Sequence, residues 1–251
     1  LAPSKFSYSA AISACASEGD WQRALALLQA MEERGLKPDA IAYSAAISAC
    51  RRGVQSRWAL RLFQKMRKDG VEADLIVYSS VISACEEGRR WAQALRLLGS
   101  LRGARLAPNV VACSAAINAC GKGERWAEAL FLLRGMDPSS APPNAFSYAA
   151  AISACQRAGQ WQSALEVWSE VLSSNIPPTR ELYGAAISAC AAGSRWEHTL
   201  EVLSEMHRGN SPADQIAYTA ALSACERAAH WERAVDLLGE MRRARGRPDQ
   251  I

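Results

Sequence analysis

The sequence predicts an all-α fold, an α-solenoid of tandem 35-residue helix-turn-helix repeats. Seven cysteines recur at a constant spacing of 35 residues, and several other columns of residues keep the same register. In addition, no segment alternates apolar and polar residues with the period of two that a half-buried strand requires. The seven cysteines are Cys15, Cys50, Cys85, Cys120, Cys155, Cys190 and Cys225.

Each repeat contains two apolar stripes with helical spacing. In the second repeat the first stripe falls at i, i+3, i+4 and i+7 and consists of Tyr43, Ala46, Ile47 and Cys50. The second stripe has the same spacing and opens with a tryptophan, which is Trp21 in the first repeat. A helix pair of this kind can bury its apolar face only against neighbouring pairs, so a stack of hairpins with one continuous core is predicted.

Glycine and proline mark the ends of these helices. A glycine such as Gly53 separates the two stripes and predicts a tight turn. Gly35 and Gly70 follow the second stripe, where glycine tolerates the left-handed conformation that ends a helix. A proline three residues later, Pro38 in the first repeat, cannot continue a helix. Each repeat is therefore predicted to be a helix, a turn and a second helix.

The columns also predict where the repeats begin and end. Residues 1–4 match the tail of a preceding repeat, and residues 250–251 match the start of a following one. The uncapped ends of such an array would expose apolar surface and allow self-association. The seven predicted repeats between them are 5–39, 40–74, 75–109, 110–144, 145–179, 180–214 and 215–249.

Composition limits the classes of function. The chain of 251 residues is 49% apolar and carries a net charge of +4, which is compatible with a polyanionic partner. No run of about 18 apolar residues predicts a membrane span. The cysteines lie among small apolar residues without a C-x-x-C pair, so we expect core cysteines, with no metal and no cofactor. No phosphate-binding loop, nucleophile elbow or deaminase signature appears, so we expect neither catalytic residues nor a small-molecule substrate.

The motifs of each repeat resemble the pentatricopeptide repeat family. The second repeat opens Ile-Ala-Tyr-Ser-Ala-Ala-Ile over Ile41–Ile47, and the first ends Leu-Lys-Pro-Asp over Leu36–Asp39. The related tetratricopeptide repeat has a period of 34 residues and a different tryptophan pattern. The resemblance covers essentially the whole chain and implies binding of single-stranded RNA, with one base read by each repeat.

The resemblance further implies which side chains read the bases. In the family these are the residue after the tyrosine column and the last residue of the same repeat. An aspartate accepts hydrogen bonds and suits guanine, whereas an asparagine can also donate and suits adenine. The implied pairs are Ser9 with Asp39, Ser44 with Asp74, Ser79 with Asn109, Ser114 with Asn144, Ala149 with Thr179, Gly184 with Asp214, and Thr219 with Asp249.

Two further columns complete the implied RNA site. Apolar residues just before the tyrosine column would clamp each base, with Glu181 as the exception, and cations near the end of the first helix would contact phosphates. The implied base-clamping residues are Phe6, Ile41, Ile76, Val111, Phe146 and Ile216. The implied phosphate-contacting residues are Arg52, Lys122, Arg157 and Arg227.

Simpler explanations exist for both polar columns. Aspartate and asparagine after proline are good helix N-caps, and cations suit the C-terminal end of a helix. A protein-binding helical scaffold of tetratricopeptide-like type is the alternative function, although the predicted groove residues are small and polar.

Taken with the resemblance, the sequence predicts a right-handed α-solenoid of seven hairpins. We expect it to bind RNA near 5′-GGAAN(G)G-3′ in organelle RNA processing, stability or translation, in the mitochondrion or chloroplast.

Overall fold

The computed structural model describes residues 3–174, 176–209 and 211–245, apart from the side chains of residues 102, 244 and 245. Over these residues the chain forms fourteen α-helices and no strand, which confirms the predicted all-α fold of tandem helical repeats. The first helix of each pair starts 35 residues after the previous one, at Lys5, Ala40, Leu75, Val110, Ala145, Arg180 and Gln215.

The helices fall into two compact units. One unit comprises Leu1–Gly123 with Gly135–Pro142, and the other comprises Glu124–Arg134 with Pro143–Ile251. The helices of the first unit are α1 Lys5–Glu18, α2 Trp21–Glu33, α3 Ala40–Arg52, α4 Ser56–Lys68, α5 Leu75–Glu87, α6 Trp91–Gly103 and α7 Val110–Lys122. Those of the second are α8 Trp126–Arg134, α9 Ala145–Arg157, α10 Trp161–Ser173, α11 Arg180–Ala192, α12 Trp196–Arg208, α13 Gln215–Arg227 and α14 Trp231–Arg245.

Within each unit the first helices of successive pairs pack side by side. Helix α3 contacts both α1 and α5, and α5 contacts α7, while in the second unit α11 contacts both α9 and α13. Alanines such as Ala46 and Ala49 are fully buried in these contacts and allow the helix backbones to approach closely. Residues with the same position in successive repeats therefore form a row along each unit.

Six of the seven cysteines of the repeated column lie in this core, as predicted, and Cys15 is half-buried. Cys50, Cys85, Cys120, Cys155 and Cys225 are fully buried, and none of the eight cysteines forms a disulfide. Burial raises the pKa of Cys50 to about 12, because the apolar core disfavours the thiolate. These thiols therefore act as small apolar groups.

Each first helix begins with a capping side chain. The residue before the helix has an extended backbone, and its side chain accepts a hydrogen bond from the backbone N–H three residues later, which satisfies one of the free donors of the first turn. These N-caps are Ser4, Asp39, Asp74, Asn109, Asn144, Thr179 and Asp214.

The glycine between the two helices of a pair has a role that the sequence did not reveal. Gly53 and Gly123 have negative φ angles, and the left-handed residue at this turn is the next one, Val54 in the second repeat. A Cβ atom on Gly123 would lie only 2.9 Å from Cγ of Trp91, and one on Gly53 would crowd Trp21 in the same way. Glycine is therefore required for the close approach of the tryptophan from the preceding helix pair.

Gly35 and Gly70, by contrast, behave as predicted. Both adopt a φ of 72° two residues after the last residue of the second helix of their pair, in the left-handed conformation that ends a helix. Helix α8 departs from the pattern because it ends early, at Arg134. Asp137 organises the segment that follows it: its Oδ1 accepts the N–H of Ser139 and its Oδ2 accepts the hydroxyl of Ser140, both at 2.9 Å.

Candidate nucleic-acid interface

A column of large apolar side chains lies exposed in the first turn of the first helices. Their exposed fractions run from 59% to 81%, whereas the residues two positions later, five tyrosines and Cys113, are buried or half-buried. Exposed apolar side chains that recur at the same place in nearly every repeat can mark a binding surface. The column contains all six base-clamping residues implied by the sequence, Phe6, Ile41, Ile76, Val111, Phe146 and Ile216.

The sixth helix pair interrupts this column. Glu181 occupies the equivalent place in the first turn of α11, and its side chain is exposed. Its carboxylate places a negative charge where the equivalent position of the other repeats has an apolar side chain. The apolar row of the second unit is therefore broken between Phe146 and Ile216.

One helical turn further on lies the column of small residues expected to read base edges. Ser9, Ser79 and Ser114 are buried, and Thr219 is exposed. The hydroxyl oxygens of Ser9 and Ser114 have no hydrogen-bond partner among the described residues. A buried hydroxyl without a partner carries a desolvation penalty that a ligand can relieve. The other three members, Ser44, Ala149 and Gly184, are half-buried.

The structure brings one of the expected reading pairs into direct contact. Oγ of Ser79 lies 3.4 Å from Oδ1 of Asn109, while the same hydroxyl donates to the carbonyl oxygen of Leu75 at 2.7 Å. The pair of Thr219 with Asp249 is not placed, because Asp249 lies outside the described residues. Thr219 itself donates its hydroxyl to the carbonyl oxygen of Gln215 at 2.6 Å.

The described acidic and amide side chains that are expected to read bases, which are Asp39, Asp74, Asn109, Asn144 and Asp214, are the helix N-caps. Oδ1 of Asp74 accepts the N–H of Val77 at 2.8 Å, and Oδ1 of Asn109 accepts the N–H of Ala112 at the same distance. For Asp74 and Asn109, no hydrogen bond of the second polar atom, Oδ2 or Nδ2, is found among the described residues. Capping and base reading thus use different atoms of one side chain and do not exclude each other.

Asp39 differs from the other caps because both of its oxygens are engaged. Its Oδ1 accepts the N–H of Ala42 at 2.9 Å, and its Oδ2 lies 3.3 Å from the ammonium group of Lys5. Partial burial would raise the pKa of Asp39, but the hydrogen bond from Ala42 and the charge of Lys5 outweigh it and hold the pKa below its usual value. Asp39 is therefore ionised at neutral pH and already paired.

Two of the four expected phosphate contacts are engaged within the first unit. Nη1 of Arg52 donates to the carbonyl oxygen of Ser17 at 2.6 Å. Nζ of Lys122 lies 3.2 Å from a carboxylate oxygen of Glu86 and 3.4 Å from one of Glu87. Arg52 and Lys122 each contact the residue 35 positions earlier, so they join neighbouring helix pairs.

The two expected phosphate-contacting cations of the second unit make fewer contacts within the protein than Arg52 and Lys122 do. Arg157 and Arg227 are both exposed. Among the described residues, Arg227 donates only to the carbonyl oxygen of Ser223 in its own helix, at 3.3 Å, and Arg157 has no hydrogen bond or ion pair.

A depression of about 550 Å³ in the second unit joins members of three of these columns. Ile216 from the apolar column, Thr219 from the small-residue column and Arg227 from the cation column all line it. It is open to solvent along much of its surface. An apolar contact, a hydroxyl and a guanidinium therefore face one space of nucleotide size.

The same depression contains residues that the sequence reading did not select. Ser188 and Ser223 line it beside Arg227. They belong to a column of small polar residues that recurs every 35 residues and was visible in the sequence: Ser13, Ser48, Ser83, Asn118, Ser153, Ser188 and Ser223.

The fold and this site define a helical-repeat protein in which apolar, hydroxyl and basic side chains recur at fixed positions of the first helices. The chain belongs to the pentatricopeptide repeat family. The family model described as the pentacotripeptide-repeat region of PRORP matches residues 38–208. The PPR repeat family model matches residues 3–52, and the PPR repeat model matches residues 216–245. No curated protein matches the chain.

Solved structures of pentatricopeptide repeat proteins share this fold. The protein PPR10 from maize is 18% identical with a TM-score of 0.65, and the match covers 97% of this chain and 39% of PPR10. The chain thus spans about two fifths of the maize protein. PPR10 in complex with an 18-nt psaJ RNA element matches with a TM-score of 0.60 at 18% identity, covering 94% of this chain and 40% of PPR10.

A second relative comes from Arabidopsis thaliana. The PPR domain of its protein-only RNase P 1, in complex with tRNA, is 15% identical with a TM-score of 0.61, and the match covers 74% of this chain and 95% of that domain.

Among the described residues no group of three or more histidine, cysteine, aspartate or glutamate side chains could hold a metal ion, and no helix has the length and apolarity to cross a bilayer.

Proposed function

We propose that this chain binds single-stranded RNA along the exposed face of its first helices, one base per 35-residue repeat, and acts as a binding protein without catalysis. The observation that carries the proposal is that six apolar side chains, all at the same position of the repeat, are at least 59% exposed. Unpaired bases are flat apolar rings that stack against such side chains. The RNA complexes of PPR10 and of protein-only RNase P 1 add support from the same family.

Each of the columns would contact a different part of the RNA. The apolar side chain of one repeat and that of the next would enclose a base between them. The small residue one turn later and the capping side chain at the end of the repeat would contact the base edge, and cations would contact the phosphates. With the repeats divided as 5–39, 40–74 and so on to 215–249, the proposed target is 5′-GGAAN(G)G-3′, read from the amino end of the protein.

The fifth and sixth repeats are proposed to discriminate least. Ala149 offers no hydrogen bond, and the single oxygen of Thr179 caps α11 by accepting the N–H of Leu182 at 3.3 Å. Gly184 provides no side chain next to Asp214, and the carboxylate of Glu181 stands where a base would stack. Any nucleotide is therefore accepted at the fifth position, and guanine is only weakly preferred at the sixth.

The proposed phosphate contacts are unequal. Arg157 and Arg227 can bind a phosphate without losing a protein ion pair, whereas Lys122 must leave Glu86 and Glu87. We therefore expect Arg157 and Arg227 to contribute more affinity than Arg52 and Lys122.

The biological setting is proposed from the family alone. We propose a role in RNA processing, stability or translation in the mitochondrion or chloroplast. One structural neighbour, protein-only RNase P 2 of A. thaliana, is described as nuclear. Fractionation of cells that express the protein with a tag, followed by sequencing of the RNA crosslinked to it, would test both the compartment and the target.

A binding titration tests the core of the proposal. Labelled GGAAAGG RNA is compared with a pyrimidine-only RNA and with the DNA of the same sequence, each at two salt concentrations. Tight binding of the purine RNA alone supports the proposal. Equal and weak binding of all three that salt abolishes indicates only a basic surface. No binding of any of them would favour the protein-binding scaffold instead.

A further inference from the structure

The capping hydrogen bonds of the first helices share one geometry. In four of them Oδ1 of an aspartate or asparagine accepts a backbone N–H at 2.8 to 2.9 Å, from Ala42, Val77, Ala112 and Ala217. Asn144 does the same toward Ser147 at 2.9 Å. Only an oxygen can accept from an N–H donor, so the identity of the inward atom is fixed by chemistry in all five side chains.

The outward atom is then fixed as well. An aspartate with one oxygen bound to the helix presents its second oxygen, which is purely an acceptor. An asparagine with its oxygen bound to the helix presents its NH₂ group, which is purely a donor. Without the cap an asparagine side chain could rotate and present either its oxygen or its nitrogen. The cap removes that choice.

We infer that the N-cap hydrogen bond of the first helices that aspartate or asparagine caps is the element that sets base discrimination, because it makes Asp74 a pure acceptor and Asn109 a pure donor toward the RNA. Guanine offers N–H donors on its Watson–Crick edge where adenine offers the N1 acceptor. A fixed acceptor therefore favours guanine, and a fixed donor favours adenine. This inference rests on the proposed RNA binding and adds the positioning interaction, with the backbone N–H groups of Val77 and Ala112 as its donors.

The exceptional caps fit the same scheme. Thr179 has one oxygen, which the cap uses, and its remaining methyl group carries no base preference. Asp39 has its outward oxygen paired with Lys5, so its acceptor is masked until the ammonium group moves away.

Amide hydrogen exchange tests whether the cap persists in the complex. The ¹⁵N-labelled protein is measured free and saturated with GGAAAGG, and the N–H groups of Val77 and Ala112 are followed. The inference predicts that their protection is kept or increased, because the base uses the other atom. RNA binding with loss of this protection would overturn the inference and leave the proposed function intact. An absence of binding would overturn both.

Backbone ester substitution tests whether the cap sets the preference. Replacing Ala112 by lactate removes its N–H but keeps its methyl side chain. A proline would also remove the N–H, but its ring would introduce strain at this buried position. Replacing Val110 by its α-hydroxy analogue is the matched control, since Asn109 accepts no hydrogen bond from that residue. The ester at 112 is expected to lower the preference for adenine over guanine at the third base by about fivefold or more. The control is expected to change nothing.

A purely structural cap gives a different result. It would weaken binding of both RNAs equally and leave their ratio unchanged, which would overturn the inference. Circular dichroism of both esters shows whether the helices are retained, and a ratio of affinities is insensitive to a partial loss of folded protein.

Discussion

Ser79 and Asn109 lie in contact across the two ends of one repeat, with Oγ of Ser79 3.4 Å from Oδ1 of Asn109. The hydroxyl hydrogen of Ser79 already points to the carbonyl oxygen of Leu75, and Oδ1 of Asn109 already caps α7. Two side chains separated by 30 residues are thus held beside each other before any RNA arrives. Preorganisation of this kind reduces the entropy cost of binding.

Exchange of aspartate and asparagine at the caps should exchange the base preference. Asn109→Asp is expected to change the preference at the third base from A to G, and Asp74→Asn the preference at the second base from G to A. Each preference should change by about tenfold in relative affinity, because the original base then leaves one donor or acceptor without a partner. Stability should stay nearly constant because aspartate and asparagine are equally good N-caps. Competition titrations with single-base RNA variants measure the preference.

The matched control for these exchanges is Asp20→Asn. Asp20 caps α2 in the same way, accepting the N–H of Arg23 at 3.0 Å, but it precedes a second helix. An unchanged preference in both repeat variants, with binding retained, would disprove the pairwise reading in this chain.

Removal of one aromatic ring from the apolar column should weaken binding whatever the flanking sequence. Phe146→Ala is expected to raise the Kd by about five- to hundredfold, because base stacking on an aromatic side chain contributes about 1–3 kcal/mol. Phe131→Ala is the control: Phe131 is 78% exposed but lies on α8, a second helix. Both phenylalanines are largely exposed, so neither change should lower the melting temperature much. Equal effects of the two changes on affinity would exclude the proposed stacking.

The ion pair between Lys5 and Asp39 should reduce discrimination at the first base. Lys5→Ala frees Oδ2 of Asp39, so the preference for G over A at that base should increase even if total affinity falls slightly. The pKa of Asp39 should also rise from its lowered value, which moves the acid loss of stability to higher pH. That stability is complete above the usual pKa of 3.8 and is lost as the pH falls through the folded value.

Lys37→Ala serves as the control, because Lys37 is exposed near Asp39 without an ion pair among the described residues. An NMR titration of the Asp39 carboxyl group and competition binding at the first base give the two readouts. If Lys37→Ala increases the preference for G as much as Lys5→Ala does, the overall charge is responsible and the ion pair between Lys5 and Asp39 is not.

The two available arginines of the second unit should govern the salt dependence. Arg157→Ala with Arg227→Ala is expected to weaken binding of every RNA and to reduce the slope of log K against log salt concentration by about 0.7 for each phosphate that is no longer neutralised. Base preference should not change. Titrations at four or more salt concentrations provide the slope, and an unaltered slope in the double variant would rule out a phosphate contact at both sites.

Much of the fold could be predicted because it depends on local patterns repeated every 35 residues. The stripe of Tyr43 and Cys50 defines a helix by spacing alone, and Asp39 after Pro38 is a recognisable cap. The exposure of the six apolar residues that include Phe6 and Ile216 could be expected only through the family resemblance. A single sequence gives no reason why Ile41 should face solvent and Ile47 the core.

What could not be predicted depends on contacts between different helix pairs. In the sequence Gly123 resembles a turn residue. In the structure glycine is needed there because the indole of Trp91, from the preceding helix pair, leaves no room for a Cβ atom. The ion pair between Lys5 and Asp39, which are 34 positions apart, also depends on how neighbouring helix pairs stack. The burial of Ser114 was also unforeseen, because the residue types around it do not show how closely the neighbouring helices pack.

The contact between Trp91 and Gly123 allows a stability test that is independent of RNA. Gly123→Ala is expected to destabilise the protein by about 1–3 kcal/mol, because its Cβ would lie 2.9 Å from Cγ of the indole and the packed ring must shift. Gly99→Ala is the matched control, since nothing lies within 4 Å of a Cβ at that position in α6. Alanine in a helix interior is favoured over glycine by about 0.8–1.0 kcal/mol, so this control should stabilise the protein. Urea unfolding followed by circular dichroism compares the two, and stabilisation by both changes would show that Gly123 serves the turn alone.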